Sequence, residues 1–253
     1  SVNAADSLAA NAPPIPVNFT QVLDKKNNEK RVSIEGYLAM PGTSFQTNSS
    51  AQLDFTERAT EFSSPFNFIV SINIGSGKNT MKQLPDKYLM ADVIVTGKNG
   101  EKIGIGDRVK LTGKLRVDGD YCSLDCEQIE KMDPVTVDYS TLGATQITSA
   151  VKPDASLNGK MVYAEGKLEM PMMTTSGDYT FIYLNVAGMS DHLVIDVAYG
   201  DGPAKLRALP QNYSESDVKI PDSKNNPVNF KNKVRVYGLW KDDRIKVESI
   251  ENI

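Results

Sequence analysis

The sequence predicts an all-β protein: two tandem five-stranded β-barrels, each with a minor helix. Three observations predict it. First, Glu35-Gly-Tyr-Leu-Ala-Met-Pro41 returns as Glu165-Gly-Lys-Leu-Glu-Met-Pro171, with five of seven positions identical at an offset of 130. Second, the self-match continues with shrinking offsets, as loops of unequal length require. Residues 68–88 lie over 193–213 and residues 109–113 over 234–238 at an offset of 125, and residues 124–130 lie over 245–251 at 121. Third, the matched segments alternate apolar and polar residues with period two, the pattern of half-buried strands.

Each copy spans roughly 110 residues, an ordinary domain size and enough to bury a core. Residues 1–16 are small, polar and Pro-containing and are expected to form a flexible tether. The first domain is expected over 17–132, a linker over 133–142 and the second domain over 143–253.

Hydrophobic content of 40% and charged content of 24% are those of a soluble globular chain. No apolar run approaches the roughly 18 residues of a membrane-spanning helix. Net charge is −4, with fifteen basic against fifteen acidic residues over 23–132 and thirteen against sixteen over 133–253. Neither half has the basic excess that attracts a phosphate backbone. The start at Ser1 fits a removed signal sequence or a trimmed chain; export is the expectation, with a lipid anchor upstream of Ser1 as an option. Asp6-Ser-Leu8 fits a short O-glycosylation pattern, and Asn18, Asn48 and Asn212 head N-glycosylation patterns, all weak signals.

In the first copy, Val32, Ile34, Gly36, Leu38 and Met40 alternate with polar and small residues as the first strand. Gly36 and its equivalent Gly166 mark a bulge or sharp bend. Gln52 to Phe55 is the second strand and aligns with Tyr183 to Val186. Phe68, Val70, Ile72 and Ile74 make the third. Lys78 to Gln83 is helix-compatible and ends before Pro85; one or two helical turns are expected, with Met81 and Leu84 facing the core. Asn99-Gly100 between β runs signals a hairpin. Val109, Leu111, Gly113 and Leu115 make the fourth strand. Asp118-Gly119 turns the chain into a fifth, bearing Leu124, Cys126 and Ile129, with a bulge near Glu127. In the second copy, residues 162–170, 179–186, 193–199, 204–209, 233–240 and 244–250 repeat the pattern.

This order of three strands, a short helix and two strands resembles the OB-fold. Mid-strand glycines and the phrase Gly106-Asp-Arg-Val-Lys-Leu-Thr-Gly113 carry the same resemblance. The chain looks most like the small exported bacterial OB proteins grouped with tRNA-anticodon-binding-like domains, over 17–132 and 143–253. The resemblance implies a partly open barrel that takes oligonucleotides or oligosaccharides on strands 2–3 and the adjoining loops, although many members bind protein.

Against nucleic acid, the turn between strands 4 and 5 is acidic in both copies: Asp118-Gly-Asp120 and Asp242-Asp243. The loop between strands 1 and 2 (42–50 and 172–178) contains no basic residue in either, whereas single-strand binding needs a positive groove beside stacking aromatics. In the second copy Tyr179, Phe181 and Tyr183 alternate along strand 2. They are either a stacking platform for a sugar ring or extended peptide, packing against the first domain or a partner, or core residues if the phase is wrong.

Other motifs carry less. Gly75-Ser-Gly-Lys-Asn-Thr80 lacks the spacing of a phosphate-binding loop. Cys122 and Cys126 would stand roughly 13 Å apart on one strand, too far for a disulfide, so free thiols are expected. Two cysteines and the lone His192 do not make a zinc site; His192 is expected at the surface in a turn. Trp240 aligns with Leu115 and is expected in the core. No catalytic residue, metal or cofactor is expected. The composite expectation is a non-catalytic binding or interaction module of the bacterial cell envelope. It would use the outer barrel face or the interdomain cleft for a protein or glycan. The alternatives are a single-stranded nucleic-acid-binding protein and a structural subunit of an envelope complex.

Overall fold

The structure, a computed structural model, describes residues 12–41, 45–60 (without the Phe45 side chain), 66–171, 181–207, 209 and 213–253. The chain divides into two compact units on either side of Pro134 and Val135. Each contains a five-stranded closed barrel of OB-fold topology.

The first barrel comprises β1 (Arg31–Ala39), β2 (Ser50–Thr56), β3 (Asn67–Asn73), β4 (Arg108–Asp118) and β5 (Tyr121–Lys131). β1 pairs antiparallel with β4 from Arg31 to Tyr37, then with β2 from Tyr37 to Ala39. β2 pairs with β3, β3 runs parallel to β5, and β5 returns along β4. The second barrel repeats these pairings with β6 (Met161–Glu169), β7 (Phe181–Asn185), β8 (Leu193–Asp196), β9 (Val234–Lys241) and β10 (Arg244–Asn252). A short lead-in strand lies parallel on the first strand of each barrel, Ile15–Pro16 on β1 and Thr145–Ile147 on β6.

Alternation decides what is inside. Ile34, Leu38, Leu53, Phe55, Phe68, Val70, Ile72, Val109, Leu111, Leu115, Leu124 and Ile129 are buried in the first barrel. Val162, Ala164, Leu168, Ile182, Leu184, Ile195, Val234, Val236, Ile245 and Ile250 are buried in the second. Trp240 is core, as expected. Phe19 and Phe55 stack at 5.5 Å, and Phe55 meets Phe68 edge-on at 5.2 Å. Such pairs add about 0.5–1.5 kcal/mol each beyond their buried area.

The four mid-strand glycines have one cause. A Cβ on Gly36 would stand 2.6 Å from the Thr56 carbonyl oxygen, and one on Gly166 2.2 Å from that of Asn185. These are the places where β1 and β6 turn from one partner to the other, so the glycines mark a sharp bend, not a bulge. The bulges lie in β5 and β10. The β5 register skips Glu127 between Cys126 and Gln128, and the β10 register skips the equivalent Glu248. Opposite them, a Cβ on Gly113 would stand 2.1 Å from the Asp125 oxygen and one on Gly238 2.2 Å from that of Lys246.

Two sequence expectations need correction. No helix forms over Lys78 to Gln83. Asn79 has φ of 58°, and Thr80–Met81 pairs instead with Val95–Thr96. A helix of six residues is too short to repay its own nucleation, whereas the strand pairing still buries Met81 and Leu84. Among the described residues, the helices are five three-residue 3-10 turns, such as Met90–Asp92 and its equivalent Glu215–Asp217. The second correction concerns strand 2. Leu38 pairs with Phe55, and its equivalent Leu168 pairs with Leu184. Gln52 to Phe55 therefore corresponds to Phe181 to Leu184, two residues earlier than the sequence alignment. A shift of two leaves every side chain on its own face, so the inside-outside reading survives.

The hairpin expected at Asn99-Gly100 forms between Val95–Thr96 and Lys102–Ile103, with Gly100 at φ 85°. The other main strands form where expected, although β4 runs on to Asp118 and β5 starts at Tyr121; the third strand of the second copy breaks after Asp196 and resumes at Ala198–Tyr199, which pairs with Lys205–Leu206 of the expected segment 204–209. The start of the expected strand 179–186 lies outside the described residues.

Trp240 is the chain's one tryptophan and reports the second barrel alone. Gly238→Ala is expected to lower its unfolding transition by about 1–3 kcal/mol or more, the range for overpacking a tight site. Denaturant unfolding followed by tryptophan fluorescence checks it.

Candidate functional site

The inward side chains of both barrels are apolar and buried, and the polar and aromatic differences between the copies lie on the outer faces. On strands 2, 3 and 5 the two copies differ sharply. The first barrel presents Gln52 and Asp54 on β2, Ile69 and Ser71 on β3, and Ser123 and Asp125 on β5. The equivalent residues of the second barrel are Phe181, Tyr183, Val194, Asp196, Arg244 and Lys246. The same backbone thus carries a polar, acidic face in one copy and an aromatic, cationic face in the other.

Phe181 and Tyr183 are half-buried and alternate with fully buried Ile182 and Leu184. They face outward, which removes the core alternative for these two. Their rings lie 5.9 Å apart, tilted by 51°. Tyr179, the third residue of the expected stripe, lies outside the described residues.

Each described ring carries a partner. The Arg244 guanidinium carbon is 5.7 Å from the centre of the Phe181 ring, within cation–π range. His192 stacks on Tyr183 at 4.7 Å and 10°. His192 is exposed, as expected, and its Nδ1 is hydrogen-bonded to Asn185 Oδ1, while Asn185 Nδ2 donates to Glu169 Oε2.

Beneath this layer, Phe181, Asp196 and Lys246 form one row across β7, β8 and β10. Asp196 lies on the outer side of β8 and is nonetheless fully buried. Lys246 Nζ donates to its Oδ2 at 2.6 Å and Arg244 Nη1 to its Oδ1 at 3.1 Å. A buried carboxylate needs such partners. The pair of donors fixes Arg244 where it covers Phe181.

A second set of outward aromatics, Tyr139, Tyr163 and Tyr237, is already used internally. Tyr163 and Tyr237 stack at 5.1 Å, Tyr139 stacks on Tyr237 at 5.8 Å, and the Tyr163 hydroxyl donates to Gln146 of the lead-in strand. Next to them Glu165 accepts from Lys233 at 2.7 Å and Arg235 at 2.6 Å. These hydrogen bonds, Lys233 first, hold its carboxyl below the ordinary 4.5 of a glutamate.

Cys122 and Cys126 are free and buried, and burial pushes both thiols up to about 12. No group of three or more His, Cys, Asp or Glu that could hold a metal ion occurs among the described residues. No helix among them is long and apolar enough to cross a membrane. The turns between the last two strands are tight: Gly119 has φ of 63°, and Asp242 and Asp243 have 55° and 57°. Gly119-Asp120 is the two-residue turn between Asp118 and Tyr121, and Asp242-Asp243 the one between Lys241 and Arg244.

Reading the aromatic stripe alone misses Asp196, Arg244, Lys246 and the Asn185–His192 pair. The signal that finds them is a comparison of outward positions between the two copies, where Ser71, Ser123 and Asp125 give way to Asp196, Arg244 and Lys246.

No family model matches the chain, and no curated protein matches it. Solved structures that align with it include a putative aspartyl-tRNA synthetase from Leishmania major Friedlin, at 9% identity and a TM-score of 0.29, covering 71% of this chain and 50% of that one. The chain thus spans half the length of that structure, and a likeness this low carries no argument.

Removing the Asp196 carboxylate strips Lys246 and Arg244 of a shared buried partner. Asp196→Ala is expected to cost the second barrel about 3 kcal/mol, read by Trp240 fluorescence. The depressed pKa of Glu165 gives a pH effect of definite sign. Its contribution is complete above pH 4.5 and is lost as pH falls through the lower, folded-state value. Acid titration of the Trp240 transition should show that loss, and Glu165→Gln should flatten it.

Proposed function

We propose that the protein is a non-catalytic interaction module whose binding surface is the outer face of β7, β8 and β10, and that its ligand is another protein. The observation that supports this most is the divergence of the two outer faces on one shared backbone. Phe, Tyr and Arg are the residues enriched at protein–protein hot spots, and they stand here where the first barrel carries Gln52, Asp54 and Ser123. A glycan is the weaker ligand, because His192 and Arg244 already occupy ring faces that a sugar would need. Nucleic acid is weaker still, because Asp242 and Asp243 are the turn that leads into β10 beside this face. The bacterial cell-envelope location of the exported OB proteins that the chain resembles belongs to the same proposal.

Site-specific photo-crosslinking in cells tests it. Benzoylphenylalanine at position 183 is expected to capture a discrete protein adduct, and the same group at the equivalent position 54 is expected to capture none. Equal labelling at both positions, or adducts only to polysaccharide or nucleic acid, would contradict the reading. Fractionation of the same cells is expected to place the adduct in the envelope.

A further inference from the structure

The aromatic face has one polar group at its rim whose orientation is set by a chain of hydrogen bonds. Asn185 Nδ2 donates to the Glu169 carboxylate. A carboxylate accepts only, so the amide cannot be turned the other way. Its Oδ1 is thereby aimed at His192 Nδ1. An amide oxygen also accepts only, so Nδ1 must carry the hydrogen. In the neutral ring the hydrogen is then absent from Nε2, which presents a lone pair. The ring is held flat against Tyr183, 4.7 Å away and tilted by 10°. His192 is exposed and makes no second hydrogen bond among the described residues.

We propose that His192 is the specificity-determining acceptor of this face: its Nε2 is set by Glu169 and Asn185 to take a hydrogen bond from a donor on the partner. The inference rests on the reading of the β7, β8 and β10 face as the binding surface. The partner group would be a hydroxyl, an amide N–H or an indole N–H lying beside the Tyr183 ring. In the first barrel Ala39, Thr56 and Asn67 stand at the positions of Glu169, Asn185 and His192. The Thr56 hydroxyl is turned to the backbone oxygens of Tyr37 and Arg58. The chain contains a single histidine, so every imidazole signal belongs to this site.

Nitrogen-15 spectra of the neutral ring in the full chain test the first half without any ligand. The Nδ1–H form is expected to dominate in the wild type, and Asn185→Ala or Glu169→Ala should release a mixture of both forms. A wild-type ring in the Nε2–H form would overturn the proposal. Titration with 4-methylphenol, which donates, and 4-methylanisole, which does not, tests the second half. The phenol is expected to shift Nε2 together with the Phe181 and Tyr183 ring signals and to bind about fivefold more tightly than the ether. Asn185→Ala should level the two, with Trp240 fluorescence confirming that the barrel stays folded. Equal binding of both probes with Nε2 unmoved would overturn the acceptor role alone. No response of either ring to either probe would overturn the binding face and the acceptor role together, with the hydrogen-bond chain intact.

Discussion

Each barrel depends on a first strand that is shared between two neighbours. β1 leaves β4 and takes up β2 within one residue of Tyr37, and β6 does the same between β9 and β7. The bend brings a carbonyl oxygen to where a side chain would begin, so only glycine fits at 36 and 166. On the far side of each barrel the extra residue of a bulge, Glu127 or Glu248, coils the last strand against Gly113 or Gly238. These close approaches let five strands close into a ring and remove the exposed edges that an open sheet would carry.

Closure also explains why the outside of the barrel carries the differences between the copies. An inward residue is constrained by packing, and in both copies those positions hold Val, Ile, Leu and Phe with few exceptions. An outward residue is constrained only by its neighbours on the same face. In the first barrel outward charges are largely paired off, as in Arg31 with Glu127 and Arg116 with Asp125. In the second, the Asp196 carboxylate holds Lys246 and Arg244, with Arg244 over the Phe181 ring. The two barrels share a scaffold and present different chemistry.

Much of this was legible in the sequence. Period-two alternation and the repeated Glu-Gly-x-Leu-x-Met-Pro phrase pointed to the fold, and the bulge expected near Glu127 forms there. The stretch 78–83 was misread because helix compatibility is a local property. Its fate was decided by the pairing of Thr80 with Thr96 and of Met81 with Val95, partners well outside the stretch. The alignment of the second strands slipped by two because loops of unequal length precede them, and period two hides such a slip. The cationic part of the candidate surface was hidden for another reason. Arg244, Lys246 and Asp196 are scattered over fifty residues and meet only when β8 and β10 pair in parallel.

The central claim is that the second barrel, not the first, carries the binding face. The most direct measurement is calorimetry of the crosslinked partner, purified and added back to three forms of the full chain. These are the wild type, the Phe181→Ala/Tyr183→Ala variant, and the Gln52→Ala/Asp54→Ala variant at the equivalent positions. The account predicts at least a tenfold loss of affinity, about 1.4 kcal/mol, for the first variant and wild-type affinity for the second. Equal affinity in all three, or a loss confined to the Gln52 and Asp54 variant, would contradict it.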